Sequence, residues 1–157
     1  MNSVAQLFTS KDVLLDLDVR NKQALFEAVG RLWEEHRGIA AAAVVENLNA
    51  REILGSTGLG QGVAIPHARV KGLSSAAAAF VRPKLPIDFD SPDGSPVAYC
   101  FVLLVPVQAT EQHLQILANV AEMMSSARFR EQLGEAGSPE QVYRLFADWD
   151  AEAHSVK

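Results

Sequence analysis

Cysteine is almost absent from this chain, and basic residues form no block. The single thiol, Cys100, excludes a disulfide framework and a cysteine-based zinc site. It lies in the apolar run VAYCFVLLV, which predicts a small buried hydrophobe. No run of five Lys or Arg occurs, and the formal net charge is −5. Nucleic acid is therefore not predicted as a partner, because phosphate neutralisation needs a basic stripe.

Long hydrophobic segments are missing as well. The longest apolar stretch, residues 97–107, contains Pro106 and is about half as long as a membrane span. The opening segment MNSVAQLFTSKD has no basic region followed by an apolar one, so no signal peptide is predicted. These absences, with the scarcity of cysteine, predict a cytoplasmic protein without membrane insertion.

The composition that remains is typical of a folded globular protein. Apolar residues make up 48% and charged residues 21% of the 157 positions. No repeat or long linker divides the chain, which predicts a single domain over residues 1–157 with one substantial core.

Four helices are predicted from periodicity and capping residues. The periodic segment of the first is residues 21–33, and Gly38 is predicted to end this helix. The second runs from about 41 to 54. A third begins after Thr110 as N-cap, and the last begins after Ser138, with Pro139 at its first position. The inward face of the third helix is predicted to carry Leu114, Leu117, Ala118 and Ala121.

Strands are predicted between these helices, at residues 13–17, 63–65, 76–81 and 98–105. The last two are nearly continuous apolar runs, which indicates strands that are covered on both faces. The segment Ser91-Pro-Asp-Gly94 is a strong turn signal. Because strands and helices interleave, the predicted fold is a three-layer α/β domain, a mixed β-sheet flanked by helices on both faces.

The most informative segment, Gly55-Ser-Thr-Gly-Leu-Gly-Gln-Gly-Val-Ala-Ile-Pro-His67, has four glycines in eight residues before a short β-type stretch. Glycine permits backbone angles closed to other residues and lets a partner approach closely. Pro66 restrains the backbone directly before His67. The pattern predicts a histidine presented rigidly at the end of a strand.

A rigidly held imidazole is suited to carry a transferable phosphate. Its pKa lies near physiological pH, so one ring nitrogen is free to attack while the other is held by an acceptor. Phosphoryl transfer then depends mostly on positioning and on charge stabilisation. Candidate groups are the guanidinium of Arg51, the first-turn helix residue His113, and hydrogen-bond donors in the glycine loop. The donors predicted to bind phosphate are Ser56, Thr57, Gly60 and Gly62.

Other readings of the loop have weaker support. Its spacing matches neither GxGxxG nor GxxxxGK[ST], and Ser56 is not set in GxSxG. A zinc site from His67 and His113 is conceivable, but no third ligand stands out, so neither a metal nor a cofactor is predicted. The glycine loop by itself is equally compatible with a purely structural role.

Three separated segments give a specific resemblance. The run Gly60-Gln-Gly-Val-Ala-Ile-Pro-His67 resembles the signature of the fructose/mannitol/nitrogen superfamily of enzyme IIA (EIIA) of the bacterial phosphotransferase system. Asn49-Ala-Arg51 resembles the family's arginine segment, sixteen residues before that histidine. The segment around His113 is similar to its second-histidine segment, forty-six residues after it.

The resemblance implies a single EIIA type-2 domain over residues 1–157 with a mixed sheet flanked by helices. It implies that His67 is phosphorylated, through its Nε2, and that His113 and Arg51 help to hold the phosphate. The implied donor is a small phosphohistidine carrier protein, HPr- or NPr-like. The sequence departs from the family pattern in two places: Gln61 stands where mannitol-type members carry an acid, and the pair Ala68-Arg69 follows the histidine where many members have glycine first.

Among family branches, the turn at 91–94 and the Gln-Ala-Thr-Glu-Gln-His113 segment look closest to the nitrogen-regulatory type. This predicts a phosphoryl carrier that regulates target proteins by its phosphorylation state, for example potassium-transport or sensor-kinase proteins. The alternative is a sugar-specific EIIA that donates phosphate to a IIB protein. A binding module that has lost phosphotransfer is a third hypothesis.

Overall fold

The computed structural model describes residues 2–108 and 111–150. Two 3₁₀ turns, Ala5–Leu7 and Ser10–Asp12, precede the regular elements. In chain order these are β1 (Val13–Leu17), α1 (Lys22–Arg37), α2 (Ala41–Ile53), β2 (Gly58–Gly60), β3 (Val63–Ala64), β4 (His67–Val70), β5 (Ala77–Pro83), β6 (Tyr99–Pro106), α3 (Glu111–Ser125), α4 (Ala127–Glu135) and α5 (Pro139–Ala147).

The six strands form one mixed sheet. Its order is β1-β5-β6-β3-β2. Strand β4 also pairs with β6, further along that strand than β3 does. Strand β1 is parallel to β5, and β3 and β4 are both parallel to β6, whereas β5–β6 and β2–β3 are antiparallel. The long strands β5 and β6 are the buried centre of the sheet, as their continuous apolar sequences predict.

Helices cover both faces of this sheet. On one face α1 and α2 bury a cluster that includes Phe26, Trp33 and Leu48. On the other face α3, α4 and α5 pack on Phe80 and Phe101 of the central strands. Burial of the two clusters supplies the main favourable term of folding. The prediction of a three-layer α/β domain is confirmed.

Local capping residues determine several helix ends. The Asn21 side chain accepts a hydrogen bond from the N–H of Ala24 at 2.8 Å, and α1 ends at Gly38 with φ of 70°. The Ser138 side chain caps α5 ahead of Pro139. Thr110, the predicted N-cap of α3, lies outside the described residues.

The predicted inward face of α3 is partly wrong. Leu114 is 56% exposed, and Ala118 is exposed as well. The residues that α3 buries are Ile116, Val120, Met123 and Met124. Apolar residues occupy more than half of the circumference of this helix. Periodicity alone is therefore compatible with either of two neighbouring faces being the buried one. Packing on the sheet selects one of them and leaves Leu114 outside.

Three elements have no counterpart in the predictions. Strands β2 and β4 have three and four residues, too few for an alternating pattern to be recognised. Helix α4 is polar along most of its length and buries only Phe129 and Leu133, four residues apart on one face.

Cys100 is buried on β6, as predicted. Burial, and next the negative charge of Glu52, raise the pKa of this thiol well above its ordinary value. It therefore stays protonated and acts as a packing group. Among the described helices, none has both the length and the apolar character that crossing a membrane would require.

Candidate functional site

His67 lies at a junction between two short strands. Strands β3 and β4 both run parallel to β6, with Val63 beside Tyr99 and His67 beside Leu103. The carbonyl of Pro66, between the two strands, accepts a hydrogen bond from the N–H of Leu103 at 2.9 Å. His67 is thus the first residue of β4 rather than a residue after the end of β3, and pairing with β6 holds its backbone.

The imidazole of His67 is oriented by its own chain. Nδ1 lies 2.8 Å from the carbonyl oxygen of Ile65. A carbonyl can only accept, so Nδ1 carries the proton and donates it. The tautomer assigned by this contact leaves a lone pair on Nε2. A half-buried imidazole in this state can act as a nucleophile through Nε2.

His67 faces a cavity of about 400 Å³. Three elements line it: the C-terminal half of α2, the paired strands β4 and β6, and the start of α3. The lining residues are Asn47, Ala50, Arg51, Leu54, His67, Ala68, Arg69, Leu103, Val105, His113, Leu114 and Leu117. Arg51, His67 and His113, which are 62 residues apart from first to last, are thus brought together.

Strand alternation explains which side of the sheet each side chain of β4 occupies. Ala68 and Val70 belong to the core under α1 and α2. His67 is in register with Leu103, which belongs to the opposite core under α3 to α5. Because side chains alternate along a strand, His67 and Arg69 share the α3 side of the sheet.

The charges around the cavity are of one sign. Arg51 and Arg69 line it, whereas none of its described lining residues is Asp or Glu. His113 belongs to the first turn of α3, where the helix carries a partial positive charge. In a chain with a net charge of −5, this cavity is locally suited to an anion.

Arg51 also has a structural contact. Its Nη1 donates to the carbonyl of Gly55 at 2.9 Å, just beyond the C-terminus of α2. This bond satisfies one carbonyl near the helix end and holds the half-buried guanidinium at the cavity wall. Four of the five N–H donors of a guanidinium remain after one such bond.

The side chains of Ser56 and Thr57 do not line the cavity. The Ser56 hydroxyl donates to the carbonyl of Phe89 and accepts from the N–H of Gly58 at 3.0 Å. Thr57 is buried, and both its N–H and its hydroxyl donate to the carboxylate of Glu52. These donors brace the loop against α2 and the segment near Phe89.

Gly60 and Gly62 are also outside the cavity lining. Gly60 has φ of 90°, and a Cβ there would lie 3.1 Å from Oδ2 of Asp93. The carbonyl of Gly62 accepts from the N–H groups of Ala98 and Tyr99 at 2.8 and 3.0 Å. The phosphate-binding prediction for Ser56, Thr57 and these two glycines has no support in their contacts, which are those of a structural loop.

Gln61 belongs to the same structural loop. It has φ of 58°, and its N–H donates to Asp93 Oδ2 at 2.8 Å. This bond, and next the N–H of Ser95, hold the pKa of the Asp93 carboxyl below its ordinary value. The glycine loop is thereby tied to the 91–94 turn, and Gln61 is not among the cavity lining residues.

Two exposed leucines at the cavity were not predicted as site residues. Leu54 is 82% exposed and Leu114 is 56% exposed, and both line the cavity beside His67. Large apolar side chains that are left in solvent around a polar centre indicate a protein-binding surface. Leu54 stands at a helix end and Leu114 in an ambiguous apolar pattern, so neither gave a distinct signal in the sequence.

This fold and this cavity accord with a known family of phosphotransfer proteins. The family model for the phosphoenolpyruvate-dependent sugar phosphotransferase system, EIIA 2, matches residues 6–149. The chain therefore belongs to the type 2 EIIA family of that system. Transfer of phosphate through a histidine is the chemistry of this family.

The relatives specify the branch. The chain is 40% identical over 149 residues to the nitrogen regulatory protein of Pseudomonas aeruginosa, which covers 94% of this chain and 97% of that protein. It matches the crystal structure of nitrogen regulatory protein IIA-Ntr from Neisseria meningitidis with a TM-score of 0.87 and 44% identity, over 92% and 99% of the two chains. The prediction of a phosphoryl carrier related to the nitrogen branch is confirmed by these matches.

A sugar-specific relative is similar over a shorter region. The fructose-specific EIIA component of Haloferax volcanii is 38% identical over 106 residues, which are 68% of this chain and 69% of that protein. The sugar-specific role is thus the alternative to the nitrogen-related one.

Proposed function

We propose that this chain accepts a phosphoryl group on Nε2 of His67 from a phosphohistidine carrier protein, HPr- or NPr-like, in the cytoplasm. In this proposal residues 1–157 form a single EIIA type-2 domain, and the phosphorylated and unphosphorylated forms differ in their binding to regulatory targets. The observation that carries the proposal is the 2.8 Å contact of Nδ1 with the Ile65 carbonyl, which leaves Nε2 as the nucleophilic atom at the cavity.

The transfer step balances without any cofactor. The Nε2 lone pair of His67 forms a bond to phosphorus as the bond from phosphorus to the donor imidazole breaks, and the donor nitrogen takes back that electron pair. Nδ1 of His67 keeps its proton and its bond to Ile65 throughout. Positioning and electrostatics therefore account for most of the catalysis, as in phosphoryl transfer generally.

Arg51 and His113 are assigned to the phosphoryl oxygens. The Arg51 guanidinium lines the cavity and has donors beyond the one given to Gly55. His113 adds an imidazole at the positive end of α3. Charge-assisted hydrogen bonds of this kind are about twice as strong as neutral ones, which supports a role for both residues in holding the transferred group.

The apolar rim formed by Leu54 and Leu114 is assigned to docking of the carrier protein. A phosphohistidine donor must bring its own imidazole close to Nε2, so the two protein surfaces must meet around the cavity. A few side chains that become fully buried at the centre of such an interface supply most of its binding free energy. Their exposed fractions, 82% and 56%, leave them available for that contact.

Leu114→Glu is expected to lower the rate of phosphoryl acceptance at subsaturating carrier by about tenfold or more, since one well-placed apolar contact is worth about 1–3 kcal/mol. The matched control is Leu85→Glu, at a leucine that is 72% exposed and does not line this cavity. Initial rates would be measured with increasing phosphorylated carrier. Equal rates for the two variants would contradict the docking role of Leu114.

The output of the proposed switch is a change of charge at this surface. Phosphorylation adds about −1.5 to −2 charges to a chain whose formal net charge is −5. A target protein that contacts the rim would meet a dianion in one state and an apolar, cationic cavity in the other. Potassium-transport and sensor-kinase proteins are the proposed classes of target, and regulation rather than sugar uptake is the proposed main role.

The direct test uses the wild-type chain with phosphoenolpyruvate, enzyme I and the carrier protein. Intact mass is expected to show one added phosphate that is labile in acid and stable in base, as expected of a phosphohistidine. Omission of any one component should abolish the adduct. If no phosphate is acquired from any carrier, the proposed function is wrong and the binding-module hypothesis is favoured.

The sugar-specific alternative is supported by the 38% identity to a fructose-specific EIIA component. It is tested by mixing the phosphorylated chain with a fructose- or mannitol-type IIB protein. Rapid transfer to the IIB protein would favour that alternative. Retention of the phosphate, together with phosphorylation-dependent binding to a regulatory target, would favour the nitrogen-related role.

A further inference from the structure

Arg69 is the basic residue nearest to His67 along β4. Both residues line the same cavity and lie on the same side of the sheet, two positions apart. At the rise of a β-strand this places their Cα atoms about 6.6 Å from each other. A long, flexible arginine side chain can cover the space in front of the Nε2 of its neighbour from this position.

The side chain of Arg69 has no structural task within residues 2–108 and 111–150. It is exposed, and it makes no hydrogen bond or ion pair with any described group. The arginines with structural roles differ clearly: Arg37 is paired with Asp12, and Arg82 donates to the carbonyls of Leu133 and Ala136. The guanidinium at position 69 is therefore available to a ligand in the cavity.

The surroundings of Arg69 favour an anionic ligand over an acidic side chain. No Asp or Glu is among the described residues that line the cavity, so the guanidinium has no competing carboxylate there. Arg51 approaches from α2 with one donor already given to Gly55. A dianion bound in this cavity would therefore have two guanidiniums, those of Arg51 and Arg69, among the groups that line its site.

We propose that Arg69 is a catalytic residue that binds the phosphoryl oxygens during transfer to and from His67. This inference rests on the proposed function of His67 and adds a ligand to it. The planar guanidinium donates two N–H groups to the equatorial oxygens, keeps all of its protons, and stabilises the charge while the two phosphorus–nitrogen bonds exchange. The step needs no other reactant.

The first test compares Arg69→Gln, Arg69→Lys and the control Arg31→Gln. Arg31 is exposed on α1 and outside the cavity, so its variant makes the same change of net charge. At saturating carrier, Arg69→Gln is expected to slow phosphoryl acceptance by about tenfold to a hundredfold, less than the hundredfold to thousandfold loss for a buried oxyanion-hole donor, because Arg69 is exposed. Arg69→Lys should recover part of the rate, because it keeps the charge without the planar fork.

The outcomes separate this inference from the function on which it rests. If the wild-type chain becomes phosphorylated on His67 and Arg69→Gln matches it at saturating carrier, the inference about Arg69 is overturned and the function stands. A defect that disappears at saturating carrier makes Arg69 a docking residue, which also overturns the inference. If the wild-type chain takes no phosphate, the proposed function itself fails.

A second measurement does not depend on any donor. Inorganic phosphate would be titrated into ¹⁵N-labelled chain while the imidazole resonances of His67 are followed. The apparent Kd is expected to rise by about fivefold or more in Arg69→Gln, because a charge-assisted hydrogen bond to the anion is lost, and to stay unchanged in Arg31→Gln. Equal affinities in the two variants would count against a contact between Arg69 and the phosphoryl oxygens.

Discussion

His67→Gln is expected to acquire no phosphate under conditions that fully phosphorylate the wild-type chain. Glutamine keeps a polar side chain at the start of β4 but has no nucleophilic nitrogen, so no phosphorus–nitrogen bond can form. The second imidazole in the cavity, His113, is on a different element. It lacks the described contact with the Ile65 carbonyl that orients His67. Intact mass after incubation with the complete donor chain is the measurement.

Two histidine variants control this prediction. His36→Gln changes an imidazole in the last turn of α1, outside the cavity, and should be phosphorylated at the wild-type rate. His113→Gln should still acquire its phosphate, at a rate lower by about tenfold to a hundredfold, because it removes a donor to the phosphoryl oxygens. An acid-labile phosphate that persisted in His67→Gln would place the chemistry on another residue.

Asp12→Ala is expected to lower the free energy of unfolding by about 3 kcal/mol, the largest stability effect proposed here. The Asp12 carboxylate is fully buried. It accepts hydrogen bonds from the N–H of Thr9 at 2.9 Å, from Nε1 of Trp33 at 3.1 Å, and from Arg37 at 3.1 and 2.7 Å. Its removal leaves the buried indole N–H of Trp33 unsatisfied and takes from the Arg37 guanidinium its carboxylate partner, so that, among the described residues, only the Leu7 carbonyl remains as acceptor.

The expected loss of about 3 kcal/mol for Asp12→Ala is limited by the partial exposure of Arg37 to solvent. The Arg37 side chain is 25% exposed, so water replaces part of the lost bonding, and the cost falls near the lower end of the range for a broken buried pair. Urea unfolding followed by tryptophan fluorescence would measure it, with Asp18→Ala as control at an exposed aspartate. The control is expected within about 0.5 kcal/mol of wild type. A similarly small effect for Asp12→Ala would refute the proposed role of this network.

Asp12 also shows where sequence reasoning was uninformative. An isolated Asp between Lys11 and Val13 has no feature that distinguishes it from a solvated turn residue. Its burial follows from the packing of α1 against the segment before β1, which brings Trp33 and Arg37 onto it from 21 and 25 residues away. Contacts at that separation depend on the whole fold.

The local features of the fold were largely predictable. The start of α1 follows from the side chain of Asn21, and its end follows from the left-handed backbone of Gly38. Both act on residues within a few positions along the chain. The burial of β5 and β6 follows from their continuous apolar sequences. The orientation of α3 did not follow, because its apolar residues allow two faces and the sheet selects between them.

The candidate site likewise has features that the sequence predicted and features that it did not. The choice of His67 as the candidate phosphoacceptor, with Pro66 restraining the backbone before it, rests on neighbouring residues and on the family motif. The assignment of Ser56 and Thr57 to phosphate had no support, because their hydroxyls are bound to Phe89 and Glu52, partners that the motif does not reveal. The glycine pattern indicates a special backbone, but it does not say which groups that backbone brings to the histidine.

Residue chemistry, and spacing within a few positions, were enough to indicate the candidate phosphoacceptor, several helix ends and the layered α/β class. The tertiary structure decided what surrounds Nε2. The pairing of β4 with β6 turns His67 and Arg69 to the same side, and the packing of α2 and α3 places Arg51 and Leu114 around them. These neighbours come from segments far apart in the chain, and only burial of the two cores on opposite faces of the sheet brings them together.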